Sequence, residues 1–334
     1  DATFWPTESG TAASFKRLLQ KEMPLVVFST GHYERAASKY GEREYANHSA
    51  SKWVRNSLTN LGFDIDTVNL EHQDIPAGIS SLVVADPKSD FSEQARQRLS
   101  NYIDHGGNLL VLAETGKQNT INPLLKQLGV TAQDGMLIQP SPHEMPDHVN
   151  MYVNSTGLNM SDDEAAYIAK ETGDTINMMM VGAVPLKWSD STGFTVKPFL
   201  ITRPELTWHS THGVVVDSAA PVFNPAAGDI ETDSFVTAIQ LIRNHQGKEQ
   251  RIIVAGDADF LGNSRAQQPY MHTMLYSWLD YNRFPIFVYM HRPLDRILLL
   301  TYPQVMTIKW IFVWIIPTLL LIGASILLIR RKRQ

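Results

Sequence analysis

LVVADPKSDFSEQARQRLSNYIDHGGNLLVLAE, residues 82–114, is the stretch on which the fold turns. Leu82-Val-Val-Ala-Asp86 is a short apolar run of the kind that forms a strand buried on both faces, and Pro87 closes it. Ser92 then supplies an N-cap hydroxyl, with Glu93 and Gln94 in the first turn. The helical pattern reaches Ile103 before His105-Gly106-Gly107 stops it. Asn108-Leu-Leu-Val-Leu-Ala-Glu114 is a second buried run. Strand, helix and strand in this order return a chain to the same sheet in the parallel sense.

The same alternation extends outward. Leu25-Val-Val-Phe-Ser-Thr30 reads as a buried strand ending at Gly31. Residues 45–61 place Trp53, Val54, Leu58 and Leu61 at helical spacing, with Gly62 as C-cap. Phe63–Leu70 alternates apolar and polar, as a strand with one wet face does, and Asn122-Pro123 opens a helix that ends at Gly129. Residues 24–130 are therefore expected to form the first part of an α/β domain with a mostly parallel sheet, both faces covered. Its strand-end loops are Gly31–Arg35, Ala85–Lys88 and Ala113–Lys117, where ligands usually bind in such sheets.

Residues 131–233 are less regular, with short strands expected at Met151–Val153, Ala183–Leu186, Val196–Thr202 and Gly213–Val216. They read as a β-rich insertion or subdomain, and Met178-Met-Met180 as core or interface. The α/β pattern returns over 234–283, with Ser234–Arg243, the run Gln250–Gly256 and a helix over 267–281. No internal repeat is visible. Residues 1–23 read as a linker or amphipathic helix through Phe15, Leu18, Leu19 and Met23, and 284–309 as a connector holding Pro285, Pro293 and Pro303.

Trp310–Ile329, WIFVWIIPTLLLIGASILLI, holds no charged residue, and Arg330, Arg331, Lys332 and Arg333 follow at once. At 1.5 Å per residue this run covers about 30 Å, the hydrocarbon thickness of a bilayer. A basic cluster stays cytoplasmic, so the tail 330–334 is expected inside and the bulk of the chain outside the cytoplasm. Pro317 falls within the span, Gly323-Ala324-Ser325 is a small-residue patch suited to helix packing, and Trp310, Trp314 and Tyr302 are interface residues. The chain opens at Asp1 without a signal pattern, which reads as a piece of a larger membrane protein.

The 334 residues carry a formal net charge of −5. With the four basic tail residues set aside, 25 Lys plus Arg stand against 34 Asp plus Glu, so nucleic acid is not the expected partner. The absence of cysteine excludes disulfides, a thiolate nucleophile and Cys-based metal sites.

Catalytic templates fail in turn. A phosphate loop ending at Gly116-Lys117 would need Gly at Val111 and Ser or Thr at Gln118. No GxSxG elbow occurs. His143-Glu144 resembles the start of a zinc-protease helix, but His148 comes one residue late, and Pro142 and Pro146 forbid the helix. His32 and Glu34 follow the first strand, where a His–carboxylate pair does acid–base work or orients a ligand; with no nucleophile nearby, local turn contacts are the preferred reading. Asp257 and Asp259 in Gly256-Asp-Ala-Asp-Phe-Leu-Gly-Asn263 have the spacing to hold a hard cation, but lack a calcium loop's distant Glu and read better as turn caps. No cofactor and no metal are expected.

Ser29-Thr-Gly-His-Tyr-Glu34, Ile75–Pro87, Tyr102–Leu112 with Asn122-Pro-Leu-Leu125, Arg251–Phe260 and the terminal span occur here in a telling order. Together they resemble the extracytoplasmic region of the Gld-G-type auxiliary family of bacterial ABC transport systems, known from gliding motility. The resemblance covers both α/β portions and the anchor but not 131–233. It implies a flavodoxin-like or glutamine-amidotransferase-like sandwich beside an ABC permease and a separate ATPase. The amidotransferase reaction would need a cysteine that this chain lacks.

The expectation is thus a non-catalytic accessory domain outside the inner membrane, anchored by one C-terminal span packed on the permease. It would bind an envelope protein or a small-molecule substrate through His32, Glu34, Arg35, Glu114, Lys117, Asp257 and Asp259. The alternative is a membrane-anchored envelope hydrolase or sugar-binding protein on the same frame, and a structural scaffold in a motility or secretion machine is a third.

Overall fold

Apolar runs that cannot face water become the central strands, and the segments between them decide which way each strand points. The computed structural model describes residues 8–332 apart from 55, 154–176, 204–205, 213, 217–220, 265–270 and 284–299. The chain divides into two compact units, Asp1–Tyr289 and Met290–Gln334.

The first unit begins with α1 (Glu8–Leu19), β1 (Leu25–Thr30), α2 (Leu58–Leu61), β2 (Asp64–Asn69) and β3 (Ser81–Ala85). It continues through α3 (Glu93–Asp104), β4 (Leu109–Leu112), α4 (Gln118–Gln127), β5 (Val130–Ala132) and β6 (Met136–Ile138). Then come β7 (His148–Val153), β8 (Asn177–Val181), β9 (Leu186–Trp188), β10 (Thr195–Thr202), β11 (Trp208–Ser210) and β12 (Ile230–Glu231). The last are β13 (Val236–His245), β14 (Lys248–Ala255) and α5 (Met271–Leu279).

Nine strands form one sheet in the order β2-β1-β3-β4-β14-β13-β10-β7-β8, beside small sheets β12-β11-β6 and β5-β9. From β2 to β14 neighbours are parallel; from β14 to β8 they are antiparallel. The expectation of a mostly parallel sheet is corrected to a mixed one. The switch has a local cause. β13 and β14 are joined by Gln246 (φ 51) and Gly247 (φ 84), and two left-handed residues make the tight turn that forces antiparallel pairing. Pro198, which cannot donate to a ladder, sits in β10 where the register with β13 slips.

Strand alternation splits the core between the two faces. Val26, Phe28, Val83, Leu110 and Ile253 pack with Leu275, Tyr276 and Trp278 of α5 and with Tyr45 and Leu58. Val27, Leu82, Val84, Val111 and Val254 pack under Ala95, Leu99 and Ile103 of α3 and Ile121, Leu124 and Leu125 of α4. Ser92 caps α3 as the sequence predicts, its side chain accepting from the Ala95 N–H.

Four local readings need correction. Only Leu58–Leu61 of the 45–61 segment is helical, although Gly62 does close it in the left-handed region at φ 101. Serines there take over the backbone: Ser49 Oγ donates to the carbonyls of Ala37 and Tyr45, Ser57 Oγ to that of Ser51, and Ser51 Oγ accepts from the N–H groups of Trp53 and Val54. α4 begins at Gln118 and contains Pro123. Its place is set from outside, because Asn122 exchanges two hydrogen bonds with the backbone of Ala132. Residues 214–216 form no strand, and the neighbouring strand is β11; Gly213 lies outside the described residues. Of Ala183–Leu186 only Leu186 is in a strand, while Met178–Met180, read simply as core or interface, form most of β8 with Met178 and Met180 buried.

α1 and the end of the first unit meet at the amino ends of the parallel strands. The Lys16 ammonium donates to the Arg283 carbonyl. Asp280 accepts from Ser80 Oγ at 2.8 Å, just before β3, and Tyr281 Oη donates to Glu249 in β14 at 2.6 Å. The apolar stretches expected at Phe284–Tyr289 and Leu294–Leu299 lie outside the described residues.

The second unit contains one helix, Tyr302–Lys332, long and apolar enough to cross a membrane. It starts in a capping box in which Thr301 and Gln304 satisfy each other's backbone N–H groups. The helix is α6 (Tyr302–Trp310), a π-helical turn over Ile311–Ile315 and α7 (Ile316–Lys332). The wide turn falls just before Pro317, where a normal α-turn would bring the proline ring against the carbonyl four residues earlier. Among the described residues nothing lies within 4 Å of a Cβ added at Gly323, so that side of the helix is open to them.

Candidate functional site

The parallel strands deliver acids to one edge because their last residues are in register. Ala85 and Ala255 both pair with Leu112, so Asp86, Glu114 and Asp257 emerge together just past the carboxyl ends. Asp86 leaves β3 in the left-handed region, at φ 51, which Asp tolerates better than most residues. The preceding loop brings Arg35 across these ends, its N–H donating to the Ala85 carbonyl at 3.0 Å.

Arg35 is the hub. Its Nε donates to Asp86 Oδ2 at 2.7 Å, and its Nη2 lies 3.1 Å from Glu114 Oε2 and 2.9 Å from Asp259 Oδ1. The remaining nitrogen, Nη1, donates to the Arg43 carbonyl at 2.7 Å. Arg43 adds a second guanidinium, with Nε 2.8 Å from Asp259 Oδ1 and Nη2 3.3 Å from Glu114 Oε2. Arg35 and the four acids are buried, whereas the Arg43 side chain is 52% exposed and forms the rim.

Asp257 is held differently. Its Oδ1 accepts from the Asp259 N–H at 2.6 Å and its Oδ2 from the Val181 N–H at 2.9 Å. Val181 ends β8, and the next residues cross the sheet edge as a strap in which the Val184 N–H donates to the Gly256 carbonyl at 2.8 Å. A Cβ on Gly256 would lie 2.0 Å from the Val184 carbonyl oxygen, so glycine is required where the strap crosses.

Four carboxylates face two guanidiniums and the half-exposed Lys88 ammonium, 3.5 Å from Asp86 Oδ2, so buried negative charge remains uncompensated. Burial, then Asp257 and Asp259, push Glu114 up to about 9. Burial and neighbouring Asp259 push Asp257 up to about 7. The cluster therefore keeps a proton at neutral pH. Glu114, Asp257 and Asp259 could each offer an oxygen to one cation, these atoms lying within 4.8 Å of one another. A hard cation would have to compete with Arg35 and Arg43 for oxygens they already hold.

His32 and Glu34 form a neighbouring group. Glu34 accepts from the His32 N–H at 2.7 Å and from Ser29 Oγ at 3.1 Å. The His32 ring sits between two carboxylates, with Nε2 2.6 Å from Glu71 Oε1 and Nδ1 3.5 Å from Glu34 Oε1. It packs on Phe91 with centroids 4.5 Å apart. Ser29 thus points its proton at a carboxylate and not at the imidazole, the reverse of a serine–histidine nucleophile.

The structure brings Arg35, Glu114, Asp257 and Asp259 into one network, and His32 with Glu34 into the adjoining group. Lys117 precedes α4; its N–H donates to the Glu114 carbonyl at 3.1 Å, and its ammonium is in none of the cluster's ion pairs. Sequence reasoning did not select Asp86, Arg43 or Glu71. Asp86 had a signal, since LVVAD, LLVLAE and IIVAGD are three buried runs that each close on an acid. Arg43 and Glu71 come from loops with no such pattern.

A depression of 430 Å³ lies elsewhere, at the amino edge, lined in part by Ile75, Arg98, Tyr102, His105 and Lys248.

A family model described as an ABC-type uncharacterized transport system matches residues 24–275. No curated protein matches the chain. Among solved structures, the chain is similar to the N-terminal domain of mmIFT52, with TM-score 0.51 and 14% identity over 76% of this chain and 96% of that one. A putative ThuA-like protein from Bacteroides uniformis superposes with TM-score 0.44 and 13% identity, over 80% and 97% of the two chains. The first likeness speaks to fold alone, and the second is too loose to carry an argument.

Proposed function

Because the chain belongs to the family of ABC-type uncharacterized transport systems, we propose that it is a non-catalytic accessory component of a bacterial ABC transporter of the Gld-G type. The first unit lies outside the inner membrane, Trp310–Ile329 within the helix Tyr302–Lys332 spans the bilayer beside the permease, and the basic tail is cytoplasmic. A separate ATPase supplies the energy. The domain binds a partner protein or a passing substrate with the rim of its carboxyl edge, where Tyr33 is 77% exposed and Gly116 and Lys117 flank the cluster.

The observation that carries this reading is the self-paired cluster. Arg35 is bonded on all three nitrogens, and each acid at the strand ends is held by it, by Arg43, by Lys88 or by backbone N–H groups. Groups spent in this way hold loops in shape and present no nucleophile to solvent. Association with a permease is supported by an apolar helix with an open small-residue side at Gly323-Ala324-Ser325. Against the hydrolase alternative stands Ser29, whose hydroxyl is buried on Glu34.

Photo-reactive residues in place of Lys117 and of Gly323, in the intact protein in its own membrane, test the proposal. Adducts with transporter subunits are expected from both positions. Irradiation that links neither position to a permease or ATPase contradicts it.

A further inference from the structure

An amphipathic helix normally turns its apolar face to the protein and its polar face to water. α1 does the reverse. Phe15, Leu18 and Leu19 share one face by their spacing and are 61%, 81% and 83% exposed. Arg17, on the opposite face, donates from Nη1 to the Thr59 carbonyl at 2.8 Å and lies 4.0 Å from Asp64 Oδ1. Lys16 reaches the Arg283 carbonyl. The helix is thus fastened to the domain by its cations and presents its hydrocarbon outward.

A second exposed anchor belongs to the same neighbourhood. Asn60, next to Thr59, donates its side-chain amide to the carbonyls of Lys52 and Val54 at 3.1 and 2.8 Å, fixing the turn that carries Trp53. Trp53 is 92% exposed. Lys52 beside it and Lys21 just after α1 are exposed cations.

Phe and Leu on one helix face, a nearby Trp and the exposed Lys21 and Lys52, with the exposed Glu22 as the neighbouring acid, follow the pattern of a helix lying in a lipid–water interface. The chain also carries a helix long and apolar enough to span a bilayer, so lipid is within reach of its working environment. We propose that the outward face of α1, with Trp53, docks on the surface of an anionic bilayer, Phe15, Leu18 and Leu19 entering the acyl boundary and Lys21 and Lys52 meeting headgroup phosphates. The domain then touches the membrane through a contact independent of its span.

The lack of cysteine makes the test direct. Spin labels on Leu18→Cys and on Gln20→Cys, in the full chain reconstituted into nanodiscs containing phosphatidylglycerol, report access to oxygen dissolved in lipid and to a nickel complex dissolved in water. The oxygen-to-nickel collision ratio is expected to be several-fold higher at Leu18→Cys, and to fall when the lipid is wholly zwitterionic. Equal, nickel-dominated access at both positions would place the face in water and overturn the proposal. Shielding of Leu18→Cys from both reagents would also overturn it, because a second protein copy would then cover the face. Leu18 is more than four-fifths exposed, so its replacement removes no core packing, and circular dichroism of each labelled chain checks that it is folded.

Discussion

The two edges of the main sheet deal with their surplus in opposite ways. At the carboxyl edge, Asp86, Glu114, Asp257 and Asp259 are buried and held from within by Arg35, Arg43, Lys88 and the strap after β8, with Asp86 Oδ1 left without a hydrogen-bond partner. At the amino edge, α1 spends its cations on the domain and leaves Phe15, Leu18 and Leu19 in the open. A charged edge that closes on itself holds shape, and an apolar face left open asks for a partner. The buried acids therefore hold the carboxyl edge in shape, and on the proposed reading contact falls to the exposed rim around them and to the open face of α1.

The largest break in that contrast is expected from Arg35→Met. Three buried carboxylates would lose their shared buried cation, leaving Glu114 and Asp259 with the half-exposed Arg43 and Asp86 with the half-exposed Lys88, and breaking a buried ion pair by removing one partner costs about 3–5 kcal/mol. Urea unfolding of the full chain in detergent, followed by tryptophan fluorescence, reads this as a lower midpoint. A midpoint within error of the parent would mean that the cluster is not what holds the edge shut.

Gly256→Ala comes next. Its Cβ would meet the Val184 carbonyl, a backbone atom of a strap fastened by the Val184 N–H and by the carbonyls of Ala183 and Pro185, so about 1–3 kcal/mol is expected from overpacking. Faster hydrogen exchange at the Val181 amide would show that the strap has lifted off Asp257.

pH sharpens the comparison with a defined sign. Burial keeps Glu114 protonated in the folded protein up to about 9, while in the unfolded chain it ionises near the ordinary carboxylate value. Between those values the folded state holds more protons, so stability falls as pH rises through that window. Burial, then His272, pushes His48 down to about 3, so that group removes stability as pH falls below its ordinary value. Glu114→Gln should remove its share of the fall in melting temperature between the ordinary carboxylate value and about 9, and leave the profile below that window alone. An unchanged alkaline slope would relocate the retained proton.

The smallest effect belongs to the open edge. Leu18→Ser should change folding stability by less than about 0.5 kcal/mol, since an exposed side chain away from special features contributes little. A larger loss in urea would show that α1 buries this face after all.

The parallel half of the sheet was legible because each strand is a continuous apolar run separated from the next by a capped helix or a glycine turn, as Leu82–Glu114 illustrates. The antiparallel half was read only in part. β8 lies in a methionine run without alternation, and β11 is three residues long, so neither announces a period. The Gln246-Gly247 turn was the missed clue to the change of direction. In the 45–61 segment, helical spacing was real but serine side chains and contacts to residues 258–263 outbid it. For the site, acids that end buried runs could be found in advance. Arg43 could not, because its distance from Asp259 in sequence is closed only by tertiary folding.

Affinity purification of the intact protein from its native membranes, with quantitative mass spectrometry of what accompanies it, tests the central claim most directly. An ABC ATPase, with its permease as a separate subunit or as part of the same polypeptide, is predicted to co-purify in near-stoichiometric amount. Recovery of the folded protein with neither component at any detergent strength that preserves known membrane complexes would contradict it.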